Sequence, residues 1–204
     1  MERLPLELIQ RTFTFLDLVS LRNVALSCRT CLDAFKNAEV LITSEILLRQ
    51  IDPSVLPEAI LVYKSWRLGK PSIDTGTDFA NVHLRSWTPA PSKWRLVDAL
   101  PLERFHRFVD YFATQFANEA LEKQPRLVIE EQPKPSCEEI HRFQRAFYRL
   151  QLYCNVVGHV FPVTDDELRE MFFGHYAAWE NEQLACIHDY LVRVVAKRKR
   201  SPKI

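Results

Sequence analysis

Residues 4–35 read LPLELIQRTFTFLDLVSLRNVALSCRTCLDAF, and their pattern predicts two short amphipathic helices. Pro5 suits the first turn of the first helix, where its missing N–H would have no partner in any case. At about 100° per residue, the side chains of Leu8 and Phe15 fall near that of Leu4. A second apolar stripe of the same helix comprises Leu6, Ile9, Phe13 and Leu16. A surface helix needs only about 100° of apolar arc to pack on its own core, so two stripes leave one apolar face over.

The second predicted helix starts at Ser20 as its N-cap. About 35 residues are too few to bury a self-sufficient core. Full burial of one Leu or Phe side chain contributes about 1.5–3 kcal/mol, so a spare apolar face in water would forfeit several such contributions. That face is therefore expected to meet another protein or, alternatively, the rest of the chain as an internal helical hairpin. The apolar side of the second helix comprises Leu21, Val24, Ala25, Cys28, Cys31, Leu32 and Phe35.

The order and spacing of these residues resemble an F-box, the short helical module that docks a substrate receptor onto a ubiquitin ligase. The resemblance is carried by Leu4-Pro5-x-Glu7-Leu8, Phe15-Leu16-Asp17, Ser20-Leu21 and Val24-Ala25-Leu26-Ser27-Cys28-Arg29. It implies binding to a Skp-type adaptor, which joins cullin and RING subunits, and a receptor that brings a protein substrate without catalytic residues of its own. Carried over position by position, the resemblance implies adaptor contacts from Leu4, Pro5, Leu8, Phe13, Leu16, Leu21, Val24 and Cys28.

Two positions depart from the usual F-box pattern. Thr12 stands where the family usually has a branched aliphatic residue, and its hydroxyl needs a hydrogen-bond partner. Leu18 stands where proline often follows the aspartate. These departures leave open whether Thr12 and Leu18 weaken adaptor binding.

The length and composition are typical of a globular chain with one domain plus an appended module, or with one extended helical domain. Of the 204 residues, 47% are hydrophobic and 26% charged, and a net charge of +1 gives no general attraction to nucleic acid or membranes. Four glycines against twelve prolines favour an all-α fold with proline-marked joints. No secretory signal and no apolar run of about 20 residues is present, which predicts a cytoplasmic or nuclear protein with five reduced cysteines.

Four segments are expected along the chain. Residues 1–45 form the F-box, and residues 46–100 hold connecting helices and a loose segment rich in Trp and Pro. Residues 101–196 form a helical region that binds the substrate, and residues 197–204 form a basic tail. Periodicity does not decide whether residues 38–51 are a short strand followed by a helix. The pattern of residues 57–68 predicts a helix that ends at Gly69. The looser residues 69–100 are expected to be held against the body of the protein by Trp66, Trp87 and Trp94.

Four further helices are predicted in the C-terminal half, and the last of them follows residues 179–182. Residues 102–121 carry an aromatic core stripe, and the Ser136/Glu139 and Thr164/Glu167 pairs each predict a capping box at a helix start. No internal repeat is found, which disfavours leucine-rich, WD40 or kelch substrate domains. The helix that starts at Ser136 carries a basic stripe, interpreted as a solvated face or alternatively as a contact for an acidic substrate. That stripe comprises Arg142, Arg145 and Arg149.

The cysteine, histidine and basic motifs of the chain do not define a catalytic or metal site. Cys28-x-x-Cys31 lacks a second ligand pair for zinc and a βαβ setting for thioredoxin-like chemistry, so both are interpreted as core thiols. A Cys/His hydrolase has no supporting nucleophile motif, although Cys154 or Cys186 could pair with a histidine such as His175 or His188. No nucleotide motif is present, and no cofactor or metal is predicted. The basic run Lys197, Arg198, Lys199 and Arg200 is a possible nuclear localisation signal or a solvated tail.

Residues 143–158 and 179–191 are similar to segments of fungal F-box proteins of unassigned substrate. Those proteins are longer, which implies a shortened or altered C-terminus at KRKRSPKI. The sequence therefore predicts a non-catalytic, all-α substrate receptor of a Skp–cullin–F-box (SCF) ubiquitin ligase. The alternatives are an F-box-like interaction module that acts outside a ligase and an enzyme with an unrecognised site.

Overall fold

The computed structural model describes residues 4–69, 72–85, 93–122, 134–158, 160 and 162–200. Within those ranges the chain is helical and forms no strand, which confirms the all-α prediction. No helix in the same ranges is long and apolar enough to cross a membrane. The chain divides into two compact units, Met1–Leu56 with Pro89–Phe108 and Pro57–Thr88 with Val109–Ile204.

Nine α-helices occur in the described ranges, with one π-helical turn at Ala80–Leu84 and one 3₁₀ turn at Phe173–His175. The helices are α1 (Leu6–Thr14), α2 (Leu18–Ala25), α3 (Arg29–Gln50), α4 (Leu56–Ser65), α5 (Ile73–Phe79), α6 (Leu96–Glu122), α7 (Cys137–Val156), α8 (Asp165–Met171) and α9 (Ala178–Arg200).

The helix starts in the N-terminal region differ from those expected. Asp17, not Ser20, caps α2, because its carboxylate accepts a hydrogen bond from the Ser20 backbone N–H at 2.7 Å. The hydrogen bond from the Ser20 N–H is the main reason why the pKa of Asp17 is lowered. The prediction of one helix from Ser20 to Phe35 is wrong. Helix α2 ends at Ala25, and Cys28 is the N-cap of a separate helix, α3.

Helix α3 takes up the segment whose structure the sequence left undecided. Residues 38–50 are helical rather than a strand, with a kink at Ala38 (φ −134°, ψ 21°). Gln10 of α1 donates through Nε2 to the Ala34 carbonyl oxygen at 3.0 Å, four residues before the kink. Arg49 near the end of α3 donates to the Thr14 and Leu16 carbonyl oxygens, the latter at 2.9 Å, and thereby satisfies backbone groups at the end of α1.

Residues 96–108 of α6 belong to the same unit as α1–α3. Trp94 is 3% exposed, and its backbone N–H donates to the Ser44 hydroxyl at 3.1 Å. Glu39 of α3 accepts from the Leu96 N–H at the start of α6 at 3.1 Å. The core of this unit contains Phe13, Leu18, Leu21, Ala25, Ala34, Phe35, Ile42, Ile46, Leu47, Ile51, Val55, Trp94, Ala99 and Leu102.

Residues 69–100 hold more structure than expected. Helix α5 and the π-helical turn lie within them, and α6 begins six residues before the predicted Leu102. Pro101 lies inside α6, where proline normally ends a helix. Both Pro101 and Val97, one turn earlier, are exposed, so the carbonyl that proline leaves unpaired can face water. Trp94 is buried as predicted, Trp66 is partly exposed, and Trp87 lies outside the described residues.

Helix α7 is the central element of the second unit. Its Gln144 donates to Asp110 of α6 at 2.8 Å, and its Asn155 donates to the Ser65 hydroxyl of α4 at 2.8 Å. Helices α5 and α9 also contact it. Both predicted capping boxes are confirmed at the starts of α7 and α8. The aromatic stripe of α6 is only partly core, because Phe108 at its edge is 63% exposed.

Candidate functional site

Helix α1 exposes the apolar stripe of Leu4, Leu8 and Phe15, whereas the other stripe is exposed only at Leu6, the first residue of the helix, which is 40% exposed. Leu4 and Leu8 are 65% and 51% exposed, and Phe15, one residue beyond the helix, is 72% exposed. Phe13, on the other stripe, is only 3% exposed. The leftover apolar face that the sequence predicts is therefore at the surface of its unit.

An open groove of about 520 Å³ runs between α1 and α3, and we call it the α1–α3 groove. Leu8, Phe15 and the 70% exposed Leu41 give it an apolar surface, and Glu7 and Glu45 place carboxylates beside them. Apolar side chains surrounded by charged ones are the usual anatomy of a protein–protein interface. The complete lining is Glu7, Leu8, Gln10, Arg11, Thr14, Phe15, Leu41, Ile42 and Glu45.

The eight residues expected to contact an adaptor differ in their accessibility. Phe13 and Leu21 are buried in the core, so their side chains support the surface from within. Leu16 and Val24 are half-buried. The exposed members are Leu4, Pro5, Leu8 and Cys28.

Two exposed apolar groove residues were not among those eight. Phe15 shares the stripe of Leu8 in the helical projection, so the sequence contained a signal for it. Leu41 carried no such signal, because only the packing of α3 against α1 brings it beside Phe15.

The two departures from the usual F-box pattern have local explanations. The Thr12 hydroxyl donates to the Leu8 carbonyl oxygen at 2.8 Å, so its hydrogen-bonding need is met within α1. Leu18 is the first residue of α2 and is completely buried. It contributes to the core at a position where proline would serve as a helix start.

The basic stripe of α7 is not a uniform solvated face. Arg142 is exposed, but Arg149 is only 6% exposed. Its Nη2 atom lies 2.7 Å from Glu58 Oε1 of α4 and 2.6 Å from Glu180 Oε1 of α9. The Arg149 guanidinium also lies 5.0 Å from the centre of the Tyr176 ring. The expectation of a solvated or substrate-contacting face is therefore wrong for Arg149, because acidic residues of its own chain cover it.

We call Arg149, Glu58 and Glu180 the buried ion triad. Burial raises the pKa of Glu58, and the Arg149 guanidinium opposes that effect. Burial likewise raises the pKa of the neighbouring Tyr176. The triad binds α4, α7 and α9 together and offers no open surface to a substrate.

One of the two cysteines interpreted as core thiols is at the surface, and the two histidines considered for a hydrolase have local contacts. Cys28 is exposed at the N-cap of α3, and Cys31 is half-buried, so the prediction of two core thiols is wrong for Cys28. His175 contacts the Glu170 carbonyl oxygen at 2.7 Å, and His188 contacts Asp189 at 3.3 Å. In the part of the chain that the structure describes, no three His, Cys, Asp or Glu residues converge as metal ligands.

The basic tail is described only in part. Lys197 is exposed near the end of α9, which continues to Arg200. The side chains of residues 198–200 and the whole of residues 201–204 lie outside the described residues. The nuclear localisation signal stays a prediction.

Comparison with known families agrees with the geometry of this surface. A helical module with an unpaired apolar face belongs to the class of protein-interaction modules. The family model of the F-box domain matches residues 1–43, and these residues therefore form an F-box domain, as the motifs predict. No curated protein and no solved structure is significantly similar to the chain. The likeness of residues 143–158 and 179–191 to fungal proteins stays a prediction.

Proposed function

We propose that the chain is a substrate receptor of an SCF-type E3 ubiquitin ligase. It binds a Skp-type adaptor through its F-box and, through that adaptor, joins cullin and RING subunits. Its role is non-catalytic, and it recruits an unknown protein for ubiquitination. The observation that carries the proposal is the exposed α1–α3 groove, which lies within or beside the residues that match the F-box family.

The energetic argument concerns the apolar side chains that α1 leaves in water. Leu8 is about half exposed, and Phe15 and Leu41 are more exposed still. Burial of such a side chain contributes about 1.5–3 kcal/mol when it is complete. A partner that covers all three would gain several kcal/mol, the scale on which a few central residues dominate an interface.

The proposal assigns substrate binding to residues 101–196. An open groove of about 560 Å³ lies between the last turns of α6 and the middle of α9 in the second unit. Its apolar surface includes Phe116, Tyr190 and Val192, with Glu119 and Arg193 adding charges of both signs. This groove has the concave apolar form that a peptide segment needs. The proposed location is the cytoplasm or nucleus, and the basic tail could direct import.

The proposal is tested by co-purification of the chain with a Skp-type adaptor, using the wild type and Leu8→Asp. Because Leu8 is about half exposed, the substitution places a charge in the groove while the core of the unit stays intact. Val195→Asp is the matched control, since Val195 on α9 is 52% exposed and Leu8 is 51% exposed. Circular dichroism of both variants checks that the helices are retained.

Adaptor binding by the wild type and by Val195→Asp, with loss in Leu8→Asp, supports the proposal. A folded wild type that does not bind the adaptor would contradict it. Addition of cullin and RING subunits separates the ligase from the alternative: an adaptor complex that does not incorporate cullin would indicate an interaction module outside a ligase.

A further inference from the structure

Two thiols lie together at the start of α3. Cys28 caps this 22-residue helix with an extended backbone (φ −156°, ψ 163°), and Cys31 is the third residue of the helix. The Cys31 backbone N–H donates to Cys28 Sγ at 3.4 Å.

The spacing of the pair is compatible with a disulfide. Helix geometry separates the Cα atoms of residues i and i+3 by about 5 Å. Disulfides span Cα–Cα distances of roughly 4.4–6.8 Å. The sequence spacing therefore places the pair within the range that a disulfide can bridge.

The two sulfur atoms have different environments. Cys28 is exposed, whereas Cys31 is half-buried. Hydrogen bonds from Cys31 lower the pKa of Cys28, and the Cys28 side chain raises the pKa of Cys31. An exposed thiol with a lowered pKa beside a less exposed thiol is the arrangement of a nucleophilic and a resolving cysteine.

We propose that Cys28 and Cys31 form a redox-active dithiol, which a low-molecular-weight disulfide such as glutathione disulfide oxidises to an intramolecular disulfide. The Cys28 thiolate attacks one glutathione sulfur, a mixed disulfide forms, and one glutathione thiolate leaves. Cys31 then loses its proton to solvent and attacks Cys28 Sγ, which releases the second glutathione thiolate. The two cysteines lose two electrons in total, and one glutathione disulfide gains them.

This proposal goes beyond adaptor binding and does not depend on it. Cys137 is the internal control, because it is also exposed and lies at the first position of a 20-residue helix, α7. Ser136, rather than a second cysteine, caps that helix. A helix N-terminus alone would make Cys28 and Cys137 behave alike, so only the thiol pair distinguishes them.

The experiment equilibrates the purified full chain with glutathione buffers of increasing oxidised fraction, traps free thiols with N-ethylmaleimide and digests with trypsin. Trypsin cleaves after Arg29, between the two cysteines. The disulfide therefore appears in mass spectrometry as residues 23–29 joined to residues 30–36. The expected result is that this joined species becomes dominant while Cys137, Cys154 and Cys186 remain mostly trapped by maleimide.

Two variants test the order of attack. Cys31→Ser should abolish the joined species and leave glutathione attached to Cys28. Cys28→Ser should lose both the joined species and the preferential oxidation. Serine is itself a good N-cap, so this variant keeps the cap of α3, and circular dichroism checks its folding.

Absence of the joined species while all five cysteines form mixed disulfides at the same buffer composition would overturn the proposal. Preferential attachment of glutathione to Cys31 in Cys28→Ser would equally contradict the assignment of Cys28 as the nucleophile.

Discussion

The two compact units differ in which side chains they expose to water and which they bury. The first unit leaves Leu8, Phe15 and Leu41 in contact with water beside the α1–α3 groove. The second unit removes charge from water, because Arg149 and Glu58 are both buried and paired through Nη2 and Oε1. Burial of an exposed apolar surface by a partner stabilises the complex. A buried charge, in contrast, is stabilised by charged and hydrogen-bonding groups within the folded unit.

This contrast separates binding from structural roles. The charged residues of the buried ion triad hold α4, α7 and α9 together, and loss of the Arg149 guanidinium should destabilise the second unit. The exposed apolar residues of the α1–α3 groove, Leu8, Phe15 and Leu41, contribute little to the core, and their removal should affect association instead. At these two places charged and apolar side chains have the reverse of their usual locations, so the residue types alone do not reveal the roles.

The largest expected effect comes from Arg149→Met. The variant leaves the Glu58 and Glu180 carboxylates without their shared guanidinium, and loss of one member of a buried pair costs about 3–5 kcal/mol in the free energy of unfolding. Urea denaturation measures the change. Arg142→Met, at an exposed position of α7, is the control and should stay within about 0.5 kcal/mol of the wild type. Equal stability of the two variants would remove the triad as a structural element.

Phe13→Ala and Phe15→Ala test the first unit with one residue type at two neighbouring positions. Phe13 is 3% exposed, so its truncation should cost about 3–5 kcal/mol in the free energy of unfolding. Phe15 is 72% exposed, so its truncation should change that free energy by no more than about 0.5 kcal/mol.

Adaptor binding should rank the same two variants differently. Phe15→Ala is expected to weaken adaptor binding by about 2 kcal/mol, the scale of an interface hot spot, as measured by calorimetry. A Phe15→Ala variant that binds the adaptor normally would place the interface away from the α1–α3 groove.

A smaller effect is expected at the cap of α2. Asp17→Ala removes the acceptor for the Ser20 N–H and should lower the free energy of unfolding by about 1 kcal/mol. Because the folded-state pKa of Asp17 is lowered from 3.8, its contribution is present above that pH and lost as the pH falls through the folded-state pKa. Asp17→Asn should keep the cap but lose this acid dependence. Urea midpoints measured from neutral to acid pH would contradict the assignment if the wild type and Asp17→Asn fell in parallel.

The smallest effect concerns the pH dependence of the buried ion triad. Because burial raises the folded-state pKa of Glu58 above 4.5, its contribution to stability is present below that pH and lost as the pH rises through the folded-state pKa. The stability of Glu58→Gln relative to the wild type should therefore increase as the pH rises toward neutrality. Urea denaturation at several pH values measures this difference. The opposite trend would show that attraction to Arg149 outweighs the burial of the carboxylate.

Much of the first unit could be predicted from local pattern. The F-box motifs, the leftover face of α1 and the all-α class all follow from residues close together in the sequence. The capping boxes at Ser136 and Thr164 were equally local, since each joins residues three apart. The start of α2 was missed because both Asp17 and Ser20 are good N-caps, and only the burial of Leu18 at the first helical position favours Asp17.

The sequence by itself determined the helical class, the F-box and the existence of an apolar face on α1, because these depend on periodicity and short motifs. Only the tertiary structure decided which polar and apolar side chains reach water. Arg149 is buried because α4 and α9 bring Glu58 and Glu180 to it from positions distant in the chain. Cys28 is exposed because helix α2 ends at Ala25. Cys28 is therefore the N-cap of α3 and not a residue on the apolar face of one continuous helix. Such outcomes depend on which elements pack together, and one helix's periodicity carries no information about its neighbours.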